Sequence, residues 1–463
     1  MEKLHSLREQ VHGPVFAPDD DGYVDEVTGV NLAVVNRPAA VVGAATADDV
    51  VAAIRFATAN GLPIRVQLTG HAAGAGSDIH DGMLVTTRRL RELVIDPQAR
   101  TARVGAGLVW QDVIDAIAEH SLAAACGSAP KVGVIGYLLG GGLSPLGRTY
   151  GFGADHVSAM EVVTADGAVR QVDADTDPEM FWALRGGRAG IGIVTSATVN
   201  LFELPSLYGG GLFFGADQAD AALRGWARWA PTLSDRTTSS VGLMRLPDVP
   251  AVPPQLRDRF VVHIRLAHIG DDAEGESVAA PLRAIGEPLL DTITRMPFAA
   301  IGSIHADPTE PLPIWVTGCQ LRDFPDEAAI ALLEAAGPAT DVPLVAVELR
   351  QLGGAFADSA GPLDAMSGRD AGFVAFVVGA PVPDLFATVI PGAADRVLTA
   401  LSPWTLRGPQ ANFASDGNDV TALSTSWPAP VYNRLLQLKT RYDPADVFAF
   451  GAVRAGESPP EKG

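Results

Sequence analysis

Three glycine-rich stretches in the first half of the chain hold the residues best suited to binding chemistry. The first, "VQLTGHAAGAGSDIHDG" (Val66 to Gly82), surrounds His71 with glycine, alanine and small polar side chains. The others are "PKVGVIGYLLGGGLSPLGRTYGFGADHV" and "RGGRAGIGIVT". Small residues expose backbone N–H groups, which form anion-binding concavities. Each stretch alone is more often a tight turn, but three together, one with a histidine, indicate a bound dinucleotide.

Several other kinds of site are excluded because the sequence lacks their motifs. No Gly-Lys-Ser/Thr occurs, so a P-loop is absent, and both "GAGLVW" and "GGGLSPLG" break the Rossmann fingerprint. The stretch "GLSPL" has Leu146 where a serine-hydrolase elbow needs glycine. Nine histidines without an HExxH motif or a cysteine pair predict no metal site.

A strand in the second half carries a second candidate site. Alternation in "VAVELRQLGG" places Ala346, Glu348, Arg350 and Leu352 on one face, and Val345, Val347, Leu349 and Gln351 on the other. The mixed face indicates a cavity opposite a core. Glu348 is a candidate general base or substrate anchor, and Arg350 a group that orients it or binds a substrate carboxylate. A surface ion pair of little energetic value is an equal alternative.

Local signals indicate the elements that position these residues. Thr46 and Asp49 form a capping box, Asn60-Gly61 ends the helix, and Ile64 to Leu68 alternate as a strand, so the His71 loop leaves a strand. Further signals predict a helix from about Trp110, a hairpin at Asp166-Gly167 and a last helix closed by Asp443-Pro444. After Pro205, strand-like runs alternate with helical stretches, which predicts a second domain.

Composition limits the class of protein. The chain has 463 residues, 47% of them hydrophobic, which favours two domains. A net charge of -20 argues against a nucleic-acid partner. Two cysteines, Cys126 and Cys319, make no disulfide scaffold, and no run reaches the ~20 apolar residues that span a bilayer. We expect a soluble, cytoplasmic protein that does not bind membranes. The sequence does not predict its oligomeric state.

The order of these motifs from about Pro38 to Phe448 resembles the berberine-bridge-enzyme-like FAD-linked oxidases of the vanillyl-alcohol-oxidase and p-cresol-methylhydroxylase superfamily. The "PKVG" segment looks most similar to bacterial histidyl-flavin oxidases of the hydroxynicotine oxidase type. The resemblance implies an α+β fold with a two-part FAD-binding domain and a substrate domain whose antiparallel sheet is covered by helices. The implied divisions are 1–206 (FAD-binding), 207–406 (substrate), 407–455 (return to the FAD-binding domain) and 456–463 (tail).

The resemblance also implies the cofactor and its residues. FAD is expected to be bonded through its 8α-methyl to His71 alone, since Ala129 stands where many members have a second attachment cysteine and Cys126 is expected to be buried and structural. The implied cofactor-binding residues are Thr69, Gly70, His71, Ala72, Gly74, Ser77, Val132, Gly133, Gly136, Gly140, Gly141, Gly142, Tyr150, Asp155, Gly192, Ile193 and Val194. The implied catalytic residues are Glu348, Arg350 and Asn412. Tyr150 and Asp155 are expected to support the flavin loop.

The implied reaction is a two-electron oxidation of a small or medium organic substrate. Hydride passes to flavin N5, and oxygen, the simplest electron acceptor without a Rossmann site, is reduced to hydrogen peroxide. The chain departs from the family pattern at several flavin-facing positions: Gln67 to Gly70 before the histidine, Thr86-Thr87, Gly190-Ile191-Gly192, Gln410, Gly451 and Val453. These departures keep a second function open, a non-redox cyclase or a ligand-binding protein on the same scaffold.

Overall fold

A computed structural model describes residues 2–74, 78–358, 364–414 and 423–453. Its helices are α1 (Glu2–Gln10), α2 (Tyr23–Val27), α3 (Ala47–Asn60), α4 (Trp110–Ala118), α5 (Val134–Leu139), α6 (Gly147–Tyr150), α7 (Pro178–Leu184), α8 (Ala219–Trp229), α9 (Asp272–Arg283), α10 (Asp326–Ala336), α11 (Ile390–Leu401) and α12 (Ala429–Tyr442). Short 3-10 turns connect several of them, including Phe298–Ile304 and Ala411–Phe413. None of the helices in these ranges combines the length and the apolar character that a membrane-spanning segment needs.

The strands before residue 206 form three sheets. They are β1 (Val15–Phe16), β2 (Ala40–Gly43), β3 (Ile64–Gln67), β4 (Met83–Thr86), β5 (Leu93–Asp96), β6 (Thr101–Gly105), β7 (Leu122–Ala123), β8 (Val157–Val163), β9 (Val169–Val172), β10 (Ile193–Asn200) and β11 (Phe202–Glu203). One sheet has the order β1-β2-β4-β3, with β2, β4 and β3 parallel. The second is antiparallel, in the order β5-β6-β10-β8-β9, and β7 pairs with β11. One apolar core joins these sheets to α3, α4 and α7.

The helix and turn signals are confirmed where they can be compared. The Thr46 side chain accepts a hydrogen bond from the Asp49 N–H to complete the capping box of α3. Gly61 ends that helix with φ +65°, a conformation that glycine adopts without strain. The helix at Trp110 and the hairpin between β8 and β9 are present as predicted. Because each of these signals acts over a few residues, the sequence alone is enough to predict them.

The strands from residue 206 onward form a single nine-stranded antiparallel sheet. They are β12 (Ser206–Gly215), β13 (Thr237–Leu246), β14 (Arg259–His268), β15 (Leu290–Asp291), β16 (Thr294–Pro297), β17 (Val316–Leu321), β18 (Leu344–Gln351), β19 (Phe373–Gly379) and β20 (Thr405–Arg407). Helices α8, α9, α10 and α11 cover one face and enclose an apolar core. The other face lies toward the first group of sheets. The α+β fold class is therefore confirmed, and the change of sheet at Ser206 lies next to the predicted boundary.

The end of the described chain packs back onto the first half. Lys439 in α12 is fully buried, and its Nζ donates to the carbonyl oxygens of Gly190 and Phe448, each at 3.0 Å. The same ammonium contacts the buried Asp443 carboxylate at 2.7 Å, which also accepts from the Val447 and Phe448 N–H groups. These bonds join α12 to the third glycine-rich stretch. The predicted tail, 456–463, lies outside the described residues.

Candidate functional site

His71 lies in the loop that leaves the carboxyl end of β3. Its Nδ1 is hydrogen-bonded to Thr69 Oγ1 at 2.7 Å, and its side chain is exposed. The ring is open to solvent on one side, but protein atoms around its other sides remove part of its hydration. This desolvation lowers the pKa of His71 to about 4. The imidazole is therefore neutral at physiological pH, the state in which a ring nitrogen can act as a nucleophile.

The N-terminal segment supports the His71 loop. The Val30 N–H donates to the Thr69 carbonyl oxygen at 2.8 Å. Buried Asn31 extends this contact, because its Nδ2 donates to the carbonyl oxygens of Ala73 at 2.8 Å and Ile314 at 3.1 Å. The Ile314 N–H donates back to Asn31 Oδ1 at 2.8 Å. One asparagine thus connects the His71 loop to the chain segment that leads into β17.

The second glycine-rich stretch lies beside the first. A Cβ at Gly133 would come within 2.7 Å of Leu68 Cδ2, so the two stretches touch at this glycine, which precedes α5. Gly136, within α5, is exposed, and a Cβ there would meet no atom within 4 Å. Protein packing does not require that glycine, so the space beside it is available to a ligand. The neutral imidazole and this open glycine surface fit a dinucleotide such as FAD.

The glycines at 140–142 have a different explanation. A Cβ at Gly140 would lie 2.6 Å from Asn412 Nδ2, and one at Gly142 would lie 2.4 Å from the Tyr137 ring. Gly141 and Gly142 have φ of +106° and +84°. The Gly142 N–H donates to Asn412 Oδ1 at 2.7 Å, and Asn412 Nδ2 donates to the Tyr137 carbonyl oxygen at 2.9 Å. The structure therefore places Asn412 as a support for this glycine turn, with both ends of its amide bonded to backbone.

The other predicted cofactor residues are spread over the first domain. Val132 is half-buried, and its carbonyl accepts from the Trp110 N–H. Gly192 packs on β8, and Ile193 and Val194 begin β10 as buried residues. Ala72 is exposed and Gly74 is buried, while Ser77 lies outside the described residues. Among the predicted cofactor residues in the described ranges, His71, Ala72 and Gly136 are exposed.

Tyr150 and Asp155 make contacts away from the His71 loop. The Tyr150 ring stacks on Phe202 with centroids 3.6 Å apart. Asp155 accepts from the Phe152 N–H at 2.8 Å and pairs with Arg369, which also binds Asp364. Burial raises the pKa of Asp155, and the guanidinium of Arg369 acts against that shift. Asp155 thus joins the end of the second glycine-rich stretch to the chain that follows β18.

Glu348 and Arg350 lie on the face of β18 that points away from the helix-covered core. Val347 and Leu349 belong to that core, as the alternation predicted. Glu348 is buried and pairs with two guanidiniums, Arg265 Nη1 at 2.6 Å and Arg350 Nε. Burial alone would raise the pKa of Glu348, but the charges of Arg265 and Arg350 lower it to about 2. The arrangement is a buried triad and not a surface ion pair.

The register of three strands makes this triad possible. Ser240 on β13 lies opposite both Arg265 on β14 and Arg350 on β18. Gly242, two residues further, lies opposite His263 and Glu348. A Cβ at Gly242 would come within 3.2 Å of Arg265 Nη2, so glycine leaves space for the guanidinium to reach Glu348 across the strand.

A cavity opens between this sheet face and the first domain. The volume of the cavity is about 20 Å³, and it opens to solvent. Its lining includes Ser144, Ser240, Arg265, His305 and Arg350. Arg350 Nη2 donates to Ser128 Oγ at 3.1 Å, and its guanidinium lies 4.8 Å from the centroid of the Phe413 ring. Ser128 precedes the second glycine stretch by a few residues, so the cavity borders the predicted cofactor region.

Sequence reasoning missed Arg265, His305 and Ser128. Arg265 and His263 share one face of the mostly apolar strand "VVHIRLAH", and these polar residues on that face were the available signal. His305 and Ser128 lie in loops, where one sequence offers no comparable signal. The thiols of Cys126 and Cys319 are buried, and burial raises the pKa of Cys126 to about 12. Among the described residues, no group of three histidine, cysteine, aspartate or glutamate side chains is placed to hold a metal ion.

Residues 38–173 match a family model described as an FAD binding domain. The chain is 29% identical over 306 residues to (R)-6-hydroxynicotine oxidase of Paenarthrobacter nicotinovorans, an alignment that covers 64% of each chain. It is 25% identical over 461 residues to an uncharacterized FAD-linked oxidoreductase of Bacillus subtilis, covering 96% of this chain and 97% of the other.

The fold is similar to the crystal structure of 6-hydroxy-D-nicotine oxidase from Arthrobacter nicotinovorans. The TM-score is 0.84 at 23% identity, over 96% of this chain and 98% of that one. The matched FAD-binding domain, the related oxidoreductases and this fold agree with one another. The chain is therefore similar to FAD-linked oxidoreductases, and its residues 38–173 match an FAD binding domain.

Proposed function

We propose that the protein is a two-electron oxidase of a small or medium organic molecule, with oxygen as its electron acceptor. The observation that carries this proposal is the cavity between the sheet face of Glu348 and Arg350 and the segment that leads into the second glycine stretch. When bound, FAD supplies the site that accepts hydride, its N5, and returns the electrons to oxygen as hydrogen peroxide. The chain supplies the cavity and the charges that orient the substrate.

We propose that FAD is attached covalently, through His71 alone. The neutral imidazole supports this proposal, since a protonated ring has no free electron pair. If Nδ1–H donates to Thr69 Oγ1, the electron pair of the ring lies on Nε2, which would be the atom that bonds to the 8α carbon. That carbon would lose one proton to solvent, and the two electrons left on the flavin would pass to oxygen. Ala129 offers no second nucleophile at the usual cysteine position.

Glu348 acts in this proposal as a positioning residue. Both of its carboxylate oxygens are paired with guanidiniums, and a pKa of about 2 makes it a weak base. Its function is then to hold Arg350 beside the cavity in a fixed orientation. Phe413 assists by presenting its ring to the same guanidinium.

Three measurements on one preparation test the proposal. Protein mixed with FAD should show a flavin absorbance spectrum, and acid-precipitated protein should stay yellow. Protein reduced with dithionite and then mixed with air in a stopped-flow instrument should recover its oxidised spectrum within seconds. Reduced flavin that persists in air for many minutes contradicts the oxidase function. A protein that takes up no flavin contradicts redox chemistry altogether and leaves the cyclase or ligand-binding alternative.

A further inference from the structure

We propose that the cavity binds the carboxylate group of an organic anion, with Arg350 and Arg265 as the recognising charges. The identification of this anion as the substrate rests on the proposed function, but the binding site itself does not. The proposal narrows the substrate class from any small or medium organic molecule to carboxylic acids.

The charge balance of the cavity is the first argument. Arg265 and Arg350 carry two positive charges, and among the described residues Glu348 is the one carboxylate in direct contact with them, since Asp307 reaches Arg350 only through Ser128 Oγ. His263 and His305 add none, because burial and the charge of Arg265 keep the pKa of each imidazole well below its usual range. One positive charge therefore has no carboxylate of its own in direct contact with it among the described residues. A buried charge without a counter-ion is costly, so an anion from solution would stabilise it.

The free hydrogen-bonding groups are the second argument. His305 lines the cavity and is buried, yet its Nδ1 has no hydrogen-bond partner within the described ranges. Its Nε2 is 3.2 Å from Ser240 Oγ. An acceptor or donor on a ligand would complete the bonding of His305. This atom, together with the arginines, indicates a polar and charged ligand group and not an apolar one.

The geometry of Arg350 is the third argument. Nε binds Glu348 and Nη2 binds Ser128 Oγ, while Phe413 stacks against the guanidinium plane. These contacts hold the Arg350 side chain in one orientation. Within the described residues, its Nη1 has no hydrogen-bond partner. A fixed guanidinium with a free terminal nitrogen is suited to receive one carboxylate oxygen.

Isothermal titration of the FAD-loaded protein with benzoate, benzamide and benzylammonium tests this proposal. The three probes have similar size, and they differ in charge. We expect benzoate to bind at least about tenfold more tightly than benzamide, as a charge-assisted hydrogen bond implies, and benzylammonium not to bind measurably. Equal affinities for benzoate and benzamide, or no heat with any probe, would overturn the proposal.

Two arginine variants locate the site. Arg350→Met leaves the neutral pair Arg265–Glu348 and should reduce benzoate affinity about tenfold or more. Arg245→Met is the matched control, because Arg245 also stacks on a phenylalanine, Phe260, and donates to buried carbonyl oxygens, but does so at the other end of β13. Benzoate affinity should be unchanged in this control. An equal loss in both variants, or none in Arg350→Met, overturns the assignment.

The titration tests the anion site and the flavin measurements test the oxidase function, so either proposal can be contradicted without the other. Benzoate binding that depends on Arg350 supports the anion site even in protein that carries no flavin. A normal flavin spectrum and fast reoxidation, with no preference for benzoate, contradict the anion site and leave the oxidase function intact.

Discussion

Arg350 and Ser128 join the two parts of the molecule through a single hydroxyl. The Ser128 Oγ accepts from Arg350 Nη2 at 3.1 Å and donates to Asp307 Oδ2 at 2.8 Å. The serine lies just before the second glycine stretch, whereas the arginine lies on the central strand of the large sheet. The second glycine-rich stretch and the cavity lined by Arg350 are therefore connected by hydrogen bonds, and a change in one is expected to alter the other.

Gly136→Ala should separate a ligand effect from a folding effect. A Cβ at this helical glycine meets no protein atom, as is also true of Gly392 in α11, which is the control. Both substitutions should raise the free energy of unfolding of flavin-free protein by about 0.5–1 kcal/mol. Only Gly136→Ala should weaken FAD binding, by about tenfold or more. Unchanged FAD affinity in a fluorescence titration would show that the cofactor does not approach α5.

Glu348→Gln should destabilise the fold, because it leaves two guanidiniums buried without a carboxylate. Loss of one partner of a buried ion pair costs about 3–5 kcal/mol, which urea unfolding at neutral pH can measure. The exposed pair of Glu203 with Arg100 provides the control, and Glu203→Gln should change stability little. A Glu348→Gln protein as stable as wild type would mean that the triad is not buried in solution.

The same triad predicts a pH dependence. The pKa of Glu348 is about 2 in the folded protein and about 4.3 in an unfolded chain, so the folded state holds fewer protons between these values. The stability that this carboxylate contributes is complete above about pH 4.5 and is lost as the pH falls toward 2. The difference in unfolding free energy between wild type and Glu348→Gln should therefore shrink over this acidic range. A constant difference would contradict the assignment.

His71→Ala should abolish acid-stable flavin. After acid precipitation, wild-type protein should keep its yellow colour and His71→Ala should release all of its flavin. His80→Ala, a change to an exposed histidine that follows in the same loop, should behave as wild type. Since the pKa of His71 is about 4, attachment of added FAD should keep its rate from pH 8 to about pH 5 and slow below that. Flavin mass on a Cys126 peptide would contradict the single link.

Lys439→Met should weaken the junction between α12 and the third glycine stretch. The substitution removes a buried ammonium and leaves the Asp443 carboxylate without its charge partner, at a cost of about 3–5 kcal/mol. Lys131→Met, at an exposed position, is the control. Urea unfolding measures the difference, and limited proteolysis should cut the variant first near α12. Equal resistance of both variants would show that the junction tolerates the loss.

The features that the sequence predicted are those with local signals. The capping box at Thr46, the glycine end at Gly61 and the alternation of β18 each depend on a few neighbouring residues, and the structure has all three. Alternation also placed Glu348 and Arg350 on the correct face. It did not predict the partner of Glu348, because Arg265 comes from a strand two positions away in the sheet and the sequence does not encode strand order locally.

The glycine turn at residues 140–142 shows why the role of a glycine is hard to predict from the sequence. Its composition is that of a cofactor loop, yet the structure explains two of its glycines by Asn412 and the ring of Tyr137. The Asn412 contact lies 270 residues away in the chain. A glycine needed for close packing and a glycine needed for a ligand look the same in one sequence. Gly136 differs from Gly140 and Gly142 in that a Cβ there would meet no protein atom.

The asparagine that connects the His71 loop with Ile314 has a practical consequence for the design of fragments. The matched FAD binding domain begins at residue 38, whereas Asn31 and the Val30 contact to Thr69 lie before it. Glu26, which pairs with Arg89 at 2.8 Å, would be lost at the same cut. An expression fragment trimmed to the family boundary would thus lose the contacts that hold the His71 loop and, because the match ends at residue 173, the third glycine-rich stretch as well. A fragment intended to bind flavin should start upstream of Tyr23.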